Sequence, residues 1–264
     1  MRVTEMLCRT ALSSSQLPGL DYSLNPYRGC SHGCAYCYVP NVLRVPRETY
    51  NTCISVKTNI VDVLIRDLKK MKPGVIGLST VTDPYQPVER RYELTRRCLS
   101  RIIDTGFSVC IQTKSSLVLR DLDLLSKASK TEVIMTIGTL DDNERLLLEP
   151  GASSINDRLN TIKECAEHGI KSSVFLGPVY PSVKIEDLTR IINIFKDYKA
   201  SSIYIDSFHL KPGVWESIKS RTHGHPIDKL FTIERINNRW YYNKLREEII
   251  RLGRVNSIRI IDAF

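Results

Sequence analysis

From residue 57 onward the chain alternates short apolar runs with longer stretches of helical periodicity, and no other feature of its 264 residues restricts the fold as much. Strands are expected at 75–79 (VIGLS), 107–113 (FSVCIQT), 132–139 (EVIMTIGT), 170–176 and 202–206 (SIYID). Helices are expected at 59–71, 91–105, 118–129, 154–168 and 185–198, several of them stopped by Gly or Pro-Gly. Such alternation implies βαβ units and a parallel sheet. Right-handed crossovers then leave an open doubly wound sheet or a barrel. The stretch 23–28 reads as a sixth strand. Six βα units fall short of the eight that fill ~250 residues in a full barrel. The expected fold class is therefore α/β, a partial (β/α)6 barrel. After Asp206 the rhythm is lost, with a helix expected at 240–252 and an edge strand at 257–261. Residues 1–206 are read as the barrel with an N-terminal extension, and 207–264 as a cap or substrate-side extension.

Strand alternation also assigns faces. In FSVCIQTK, Phe107, Val109 and Ile111 share one face, and Ser108, Cys110, Gln112 and Lys114 the other. In a partial barrel the first face packs on helices and the second lines a ligand-holding interior. Thr136, Tyr204 and Asp206 fall on the interior side by the same parity. Cys110 is thus the expected interior thiol, and a candidate catalytic residue.

Eight cysteines are present, three of them in NPYRGCSHGCAYCY as Cys30, Cys34 and Cys37, spaced C-x3-C-x2-C. Three thiolates this close can wrap one face of a compact metal centre. Zinc wants a fourth thiolate or imidazole at suitable spacing, and His32, inside the loop, fits poorly. Three ligands to a four-iron cluster leave one iron open, where a small molecule can bind and receive an electron. Cys8, Cys53, Cys98, Cys110 and Cys165 form no second ligand motif. With 42% hydrophobic and 25% charged residues the chain is neither disordered nor a disulfide-stapled miniature. No run reaches the ~18 apolar residues of a membrane span, and the N-terminus lacks a signal-peptide core. A cytoplasmic location is expected, where clustered cysteines hold metal rather than disulfides.

The cysteine triplet with an aromatic (Tyr36) before its last member resembles the signature of the radical S-adenosylmethionine (SAM) superfamily. NPYRGCSHGCAYCY, TDPYQPVE, LTRRCL, QTKS, VLRDLDLL, LEP and GPVYP, in that order over about residues 20–185, resemble its spore photoproduct lyase-related group. The resemblance implies a partial (β/α)6 barrel with a 4Fe–4S cluster on Cys30, Cys34 and Cys37, in the loop after the first strand. It implies SAM on the open iron, cleaved by one electron so that a 5′-deoxyadenosyl radical abstracts hydrogen from a substrate. Tyr36 then packs near the adenine, and Thr82 and Asp83 touch the methionine moiety or ribose. Lys114 meets the methionine carboxylate, and Thr136 the ribose. Tyr38 matches a tyrosine the lyase uses near its radical, a second catalytic candidate. The lyase places a hydrogen-donating cysteine after its second strand. Here that stretch reads STVTDPYQP, so the repair reaction is not expected in the lyase's form.

The net charge of +9 lies at the chain's ends: 11 basic against 6 acidic residues over 207–264, and 6 against 3 over 1–57. Basic regions at a barrel opening favour an anionic partner. Nucleic acid is one candidate, because NNRWYYNK mixes aromatics with cations. An acidic electron donor, flavodoxin or ferredoxin, is another. The alternatives are radical chemistry on a nucleic acid or nucleotide, the same chemistry on a peptide, protein or small metabolite, and a non-catalytic iron–sulfur or zinc protein that binds nucleic acid.

Overall fold

The computed structural model describes residues 1–128 and 130–262. Eleven strands are present among them: β1 (Arg2–Met6), β2 (Leu12–Ser14), β3 (Tyr22–Leu24), β4 (Tyr27–Arg28), β5 (Cys53–Lys57), β6 (Val75–Leu78), β7 (Ser108–Thr113), β8 (Thr131–Thr136), β9 (Lys171–Leu176), β10 (Ser202–Ile205) and β11 (Arg259–Asp262). Eight form one sheet in the order β11-β10-β9-β8-β7-β6-β3-β2, every neighbouring pair parallel except β2 with β3. Its two edges, β2 and β11, do not pair among the described residues, so the sheet curls without closing. This is the expected partial barrel. The strand foreseen at the chain's end is its edge, β11, laid parallel on β10.

The interior and exterior faces follow parity. Val109 and Ile111 are fully buried toward the helices, while Gln112 on the opposite face is exposed. Glu132 collects the interior side chains, accepting from Ser173 Oγ at 2.7 Å and Tyr204 Oη at 3.3 Å and pairing with Lys171 Nζ at 2.9 Å.

Three expectations are corrected. The stretch 23–28 is two strands, because Pro26 has no N–H to continue a ladder. β3 stays in the barrel, and β4 joins a second sheet, β1-β5-β4. The cysteine loop therefore follows β4 rather than the first barrel strand directly. The helix expected at 91–105 is broken at Glu93 (φ 50°) into Glu89–Tyr92 and Leu94–Ile102. The helix expected at 118–129 is a 3-10 turn, Ser116–Asp121, and one α turn, Leu122–Leu125, with Ser129 outside the described residues.

That last distortion has a visible cause. Asp121 is fully buried, accepting from Tyr85 Oη at 3.0 Å, Arg96 Nη1 at 3.0 Å and Arg120 Nε at 2.8 Å. A regular solvent-facing helix would not turn this carboxylate inward. Removing one partner of a buried charge network leaves the others uncompensated. Asp121→Ala is expected to lower stability by about 3–5 kcal/mol, the range for breaking a buried pair. Urea unfolding checks this; a loss below about 1 kcal/mol, the value of an exposed pair, contradicts it.

Candidate active site

Backbone bonds hold the cysteine loop, which runs from β4 to the short helix Val39–Leu43. Its entry demands glycine: Gly29 has φ +88°, and a Cβ there would stand 2.5 Å from the Cys53 carbonyl oxygen. The Gly29 carbonyl accepts from Thr82 Oγ1 (2.5 Å) and Gln86 Nε2 (3.1 Å), while Gln86 Oε1 accepts from the Ser31 N–H (3.0 Å). From the other side the turn at 148–151 clamps the loop. Ala35 N–H donates to the Leu148 carbonyl at 2.8 Å, and Gly151 N–H to the His32 carbonyl at 3.0 Å. A Cβ on Gly151 would lie 2.5 Å from the Ser31 carbonyl oxygen, so glycine alone permits that approach.

The buried Asp83 carboxylate accepts from Tyr85 N–H (2.9 Å), Thr113 Oγ1 (2.8 Å) and Lys114 N–H (3.0 Å), with His32 Nδ1 at 3.3 Å. Asp83 and Thr82 thus stand beside the loop, and both have partners within the protein. His32, enclosed against Asp83, turns its Nδ1 toward that carboxylate.

Lys114 follows β7, and its ammonium lies 5.6 Å from the centroid of the Tyr36 ring. The Tyr36 hydroxyl donates to Glu149 Oε1, and Glu149 Oε2 pairs with Arg158 Nη2 at 2.5 Å. Arg158, fully buried, also donates from Nε to the Ser153 carbonyl and from Nη1 to the Thr136 carbonyl, both at 2.9 Å. Tyr36 packs against Tyr180 and Phe208, with centroids 6.1 and 5.8 Å away.

These charges share one enclosed volume. Burial pushes the Cys34 thiol up to about 12, against the pull of Lys114, and burial likewise raises Cys30 and Cys37. Burial alone would lower the Lys114 ammonium; Cys34 and Glu149 outweigh it and hold its pKa above the usual value. Burial would raise Glu149, but Arg158 and Lys114 keep its carboxyl below the usual range. Cys34 and Cys37 both add to the rise at Cys30, and Cys37 to that at Cys34. No three His, Cys, Asp or Glu side chains converge on a single ion among the described residues. A four-iron cluster takes one thiolate per iron and so spaces its ligands more widely. Desolvated thiols beside a lysine suit it, because coordination removes the proton that burial retains.

Of the other expected residues, Thr136 is buried, its carbonyl on Arg158 and its Oγ1 3.4 Å from Gln112 Nε2. Tyr38 is 43% exposed at the barrel mouth. Its ring lies 6.5 Å from that of His209, whose Nε2 is 2.9 Å from Asp206 Oδ1. Cys110 stands elsewhere, four residues and about 13 Å along β7 before Lys114; burial, with Glu132 adding, pushes its thiol up to about 12. Glu149, Arg158 and Gln86 were not foreseen. LEP is a visible motif, but nothing local marks a carboxylate or guanidinium that will be buried.

A family model described as the Radical SAM superfamily matches residues 24–195. A protein of Methanocaldococcus jannaschii is 30% identical over 98% of this chain and 96% of its own length. A radical SAM Nalpha-GlyT isomerase of Pseudomonas phage M6 is 30% identical over 62% of this chain and 34% of its own. Spore photoproduct lyase complexed with dinucleoside spore photoproduct shares the fold with a TM-score of 0.74 at 16% identity, covering 99% of this chain and 82% of that one.

Asp83 supplies a pH test. Burial opposes its ionisation, but His32 and three hydrogen bonds hold its pKa at about 2, against 3.8 for a free aspartate. A depressed carboxyl stabilises fully above its unfolded pKa and loses that contribution as pH falls through the folded one. The difference corresponds to about 2 kcal/mol. Asp83→Asn is expected to be less stable by about that much at pH 7. The gap from wild type should narrow between about pH 4 and 2. Parallel stability–pH curves from urea unfolding would contradict the assignment.

Proposed function

The chain belongs to the radical SAM superfamily, and on that premise we propose that Cys30, Cys34 and Cys37 hold a 4Fe–4S cluster for an enzyme that abstracts hydrogen from a nucleic acid or nucleotide. When bound, the cluster and S-adenosylmethionine supply reductive cleavage of the sulfonium and a hydrogen-atom acceptor. The protein's task is to bind, orient and keep dry. One observation carries the reading: Lys114 presents a cation over Tyr36, beside the cluster thiols, where a purely structural cluster needs none. A carboxylate of the cofactor would find there a charge-assisted partner in a water-poor setting. Tyr36, Tyr180 and Phe208 offer an apolar wall for an adenine. Thr82, Asp83 and Thr136 keep the surrounding backbone in place. Tyr38, directly after Cys37, is exposed to solvent.

Nucleic acid is favoured by the basic surplus of 207–264 and by Trp240, 68% exposed beside Arg239. A fold shared with an enzyme solved on a dinucleoside photoproduct supports the same choice. The lyase's own repair chemistry is not carried over, since 79–87 holds no cysteine and Cys110 lies deep in the barrel. Arg47, which donates to the Cys37 carbonyl, and the exposed Arg44 give the cluster loop a basic edge suited to an acidic flavodoxin or ferredoxin.

Anaerobic reconstitution with iron and sulfide, followed by reductant and S-adenosylmethionine, is expected to yield 5′-deoxyadenosine. Cys34→Ala should lose cluster and cleavage together. An intact cluster without cleavage overturns the enzymatic reading. Binding to single-stranded DNA should weaken steeply with salt, as counterions are released from each neutralised phosphate. A flat response overturns the nucleic-acid choice and leaves the cleavage result standing.

A further inference from the structure

Glu149 is a carboxylate with almost no exposure, and the reaction proposed above gives it no part. Its surroundings are specific. One oxygen accepts from Tyr36, the residue before the last cluster cysteine, and the other pairs with Arg158 at 2.5 Å. The peptide units flanking it are those that clamp the cysteine loop through Ala35 and His32. Lys114 stands over the ring that Glu149 anchors. We propose that Glu149 is a positioning residue that fixes Tyr36 and Lys114 against the cluster cysteines, and that the balance of charge between Glu149 and Arg158 sets the cluster's reduction potential.

The physical argument runs from dielectric and distance. Both charges of the pair are out of water, so neither is screened as a surface charge would be. Reduction adds a negative charge to the cluster. A buried anion nearby opposes it and a buried cation favours it, which is how net charge and surrounding groups tune iron–sulfur potentials. The pair lies against this centre: Glu149 accepts from Tyr36, the residue before Cys37, and the adjoining Leu148 carbonyl accepts from the N–H of Ala35, the residue after Cys34. A pair serving only the fold would have no need to lie against the loop that carries the ligands.

The inference rests on the cluster reading above, and the test separates the two. Wild type, Glu149→Gln, Glu149→Asp and Arg158→Gln are reconstituted anaerobically, and their iron content and absorption are recorded. Midpoint potentials are then read by redox titration followed by electron paramagnetic resonance, without S-adenosylmethionine. Glu149→Gln keeps the shape and drops the charge, so its potential is expected to move positive. Glu149→Asp keeps the charge and should stay nearer wild type. Arg158→Gln should move negative, and it carries the test alone if Glu149→Gln takes up no cluster. A clustered wild type whose potential is unchanged in the charge-removing variants, or moves more with Glu149→Asp than with Glu149→Gln, overturns this inference only. A wild type that binds no iron overturns the cluster reading and this inference with it.

Discussion

The buried pair of Arg158 and Glu149 is the interaction on which the site's geometry depends. At 2.5 Å and with both side chains almost completely enclosed, it joins four parts of the chain. Arg158 stands on the helix Ile155–Glu167 and reaches the end of β8 through the Thr136 carbonyl. Glu149 belongs to the turn that clamps the cysteine loop, and it holds Tyr36 in that loop. Enclosing two charges is costly, and the attraction between them offsets that cost only when the remaining donors are also satisfied. Here two other guanidinium donors go to backbone carbonyls, so the pair is locked in direction as well as distance.

A second consequence is the separation of charge within the site. Asp83 and Glu149 are each held ionised by a neighbouring cation or imidazole and by hydrogen bonds from the protein. Among the described residues Lys114 has no carboxylate within ion-pair distance, and instead overlies an aromatic face. The anions are thus committed to partners within the protein, and the cation is not. All of these groups lie beyond the carboxyl ends of the strands, where barrel folds gather chemistry on loops while the sheet beneath supplies rigidity.

Much of this was legible before any coordinates. The helix-and-strand periods placed the parallel strands β6 to β10 within a residue or so at most ends, because each strand is an apolar run closed by a turn signal. The three cysteines, Lys114 and the Thr82-Asp83 step were singled out by motif and position. The failures have physical reasons. Propensity cannot foresee that Asp121 turns inward and tightens a helix into a 3-10 turn, since its partners Tyr85 and Arg96 are distant in sequence. Nor does a proline within an apolar stretch announce that its two halves will enter different sheets. Cys110 was placed on the correct face of β7 by parity, but parity does not fix depth. Depth along the strand is what sets it with Glu132 rather than beside Lys114.

By itself, then, the sequence determined the alternating α/β architecture, the open six-unit barrel and the spacing of the cysteine triplet. These reside in short-range patterns, where period, turn chemistry and spacing act within one or two elements. Only the tertiary structure decided which charges are buried and with whom. Glu149, Gln86 and His32 acquire their roles from partners far away along the chain: Tyr36 lies 113 residues from Glu149, and Gly29 57 from Gln86. Burial and pairing are properties of the folded volume: a carboxylate is costly or useful according to what encloses it, and that is not written at its own position.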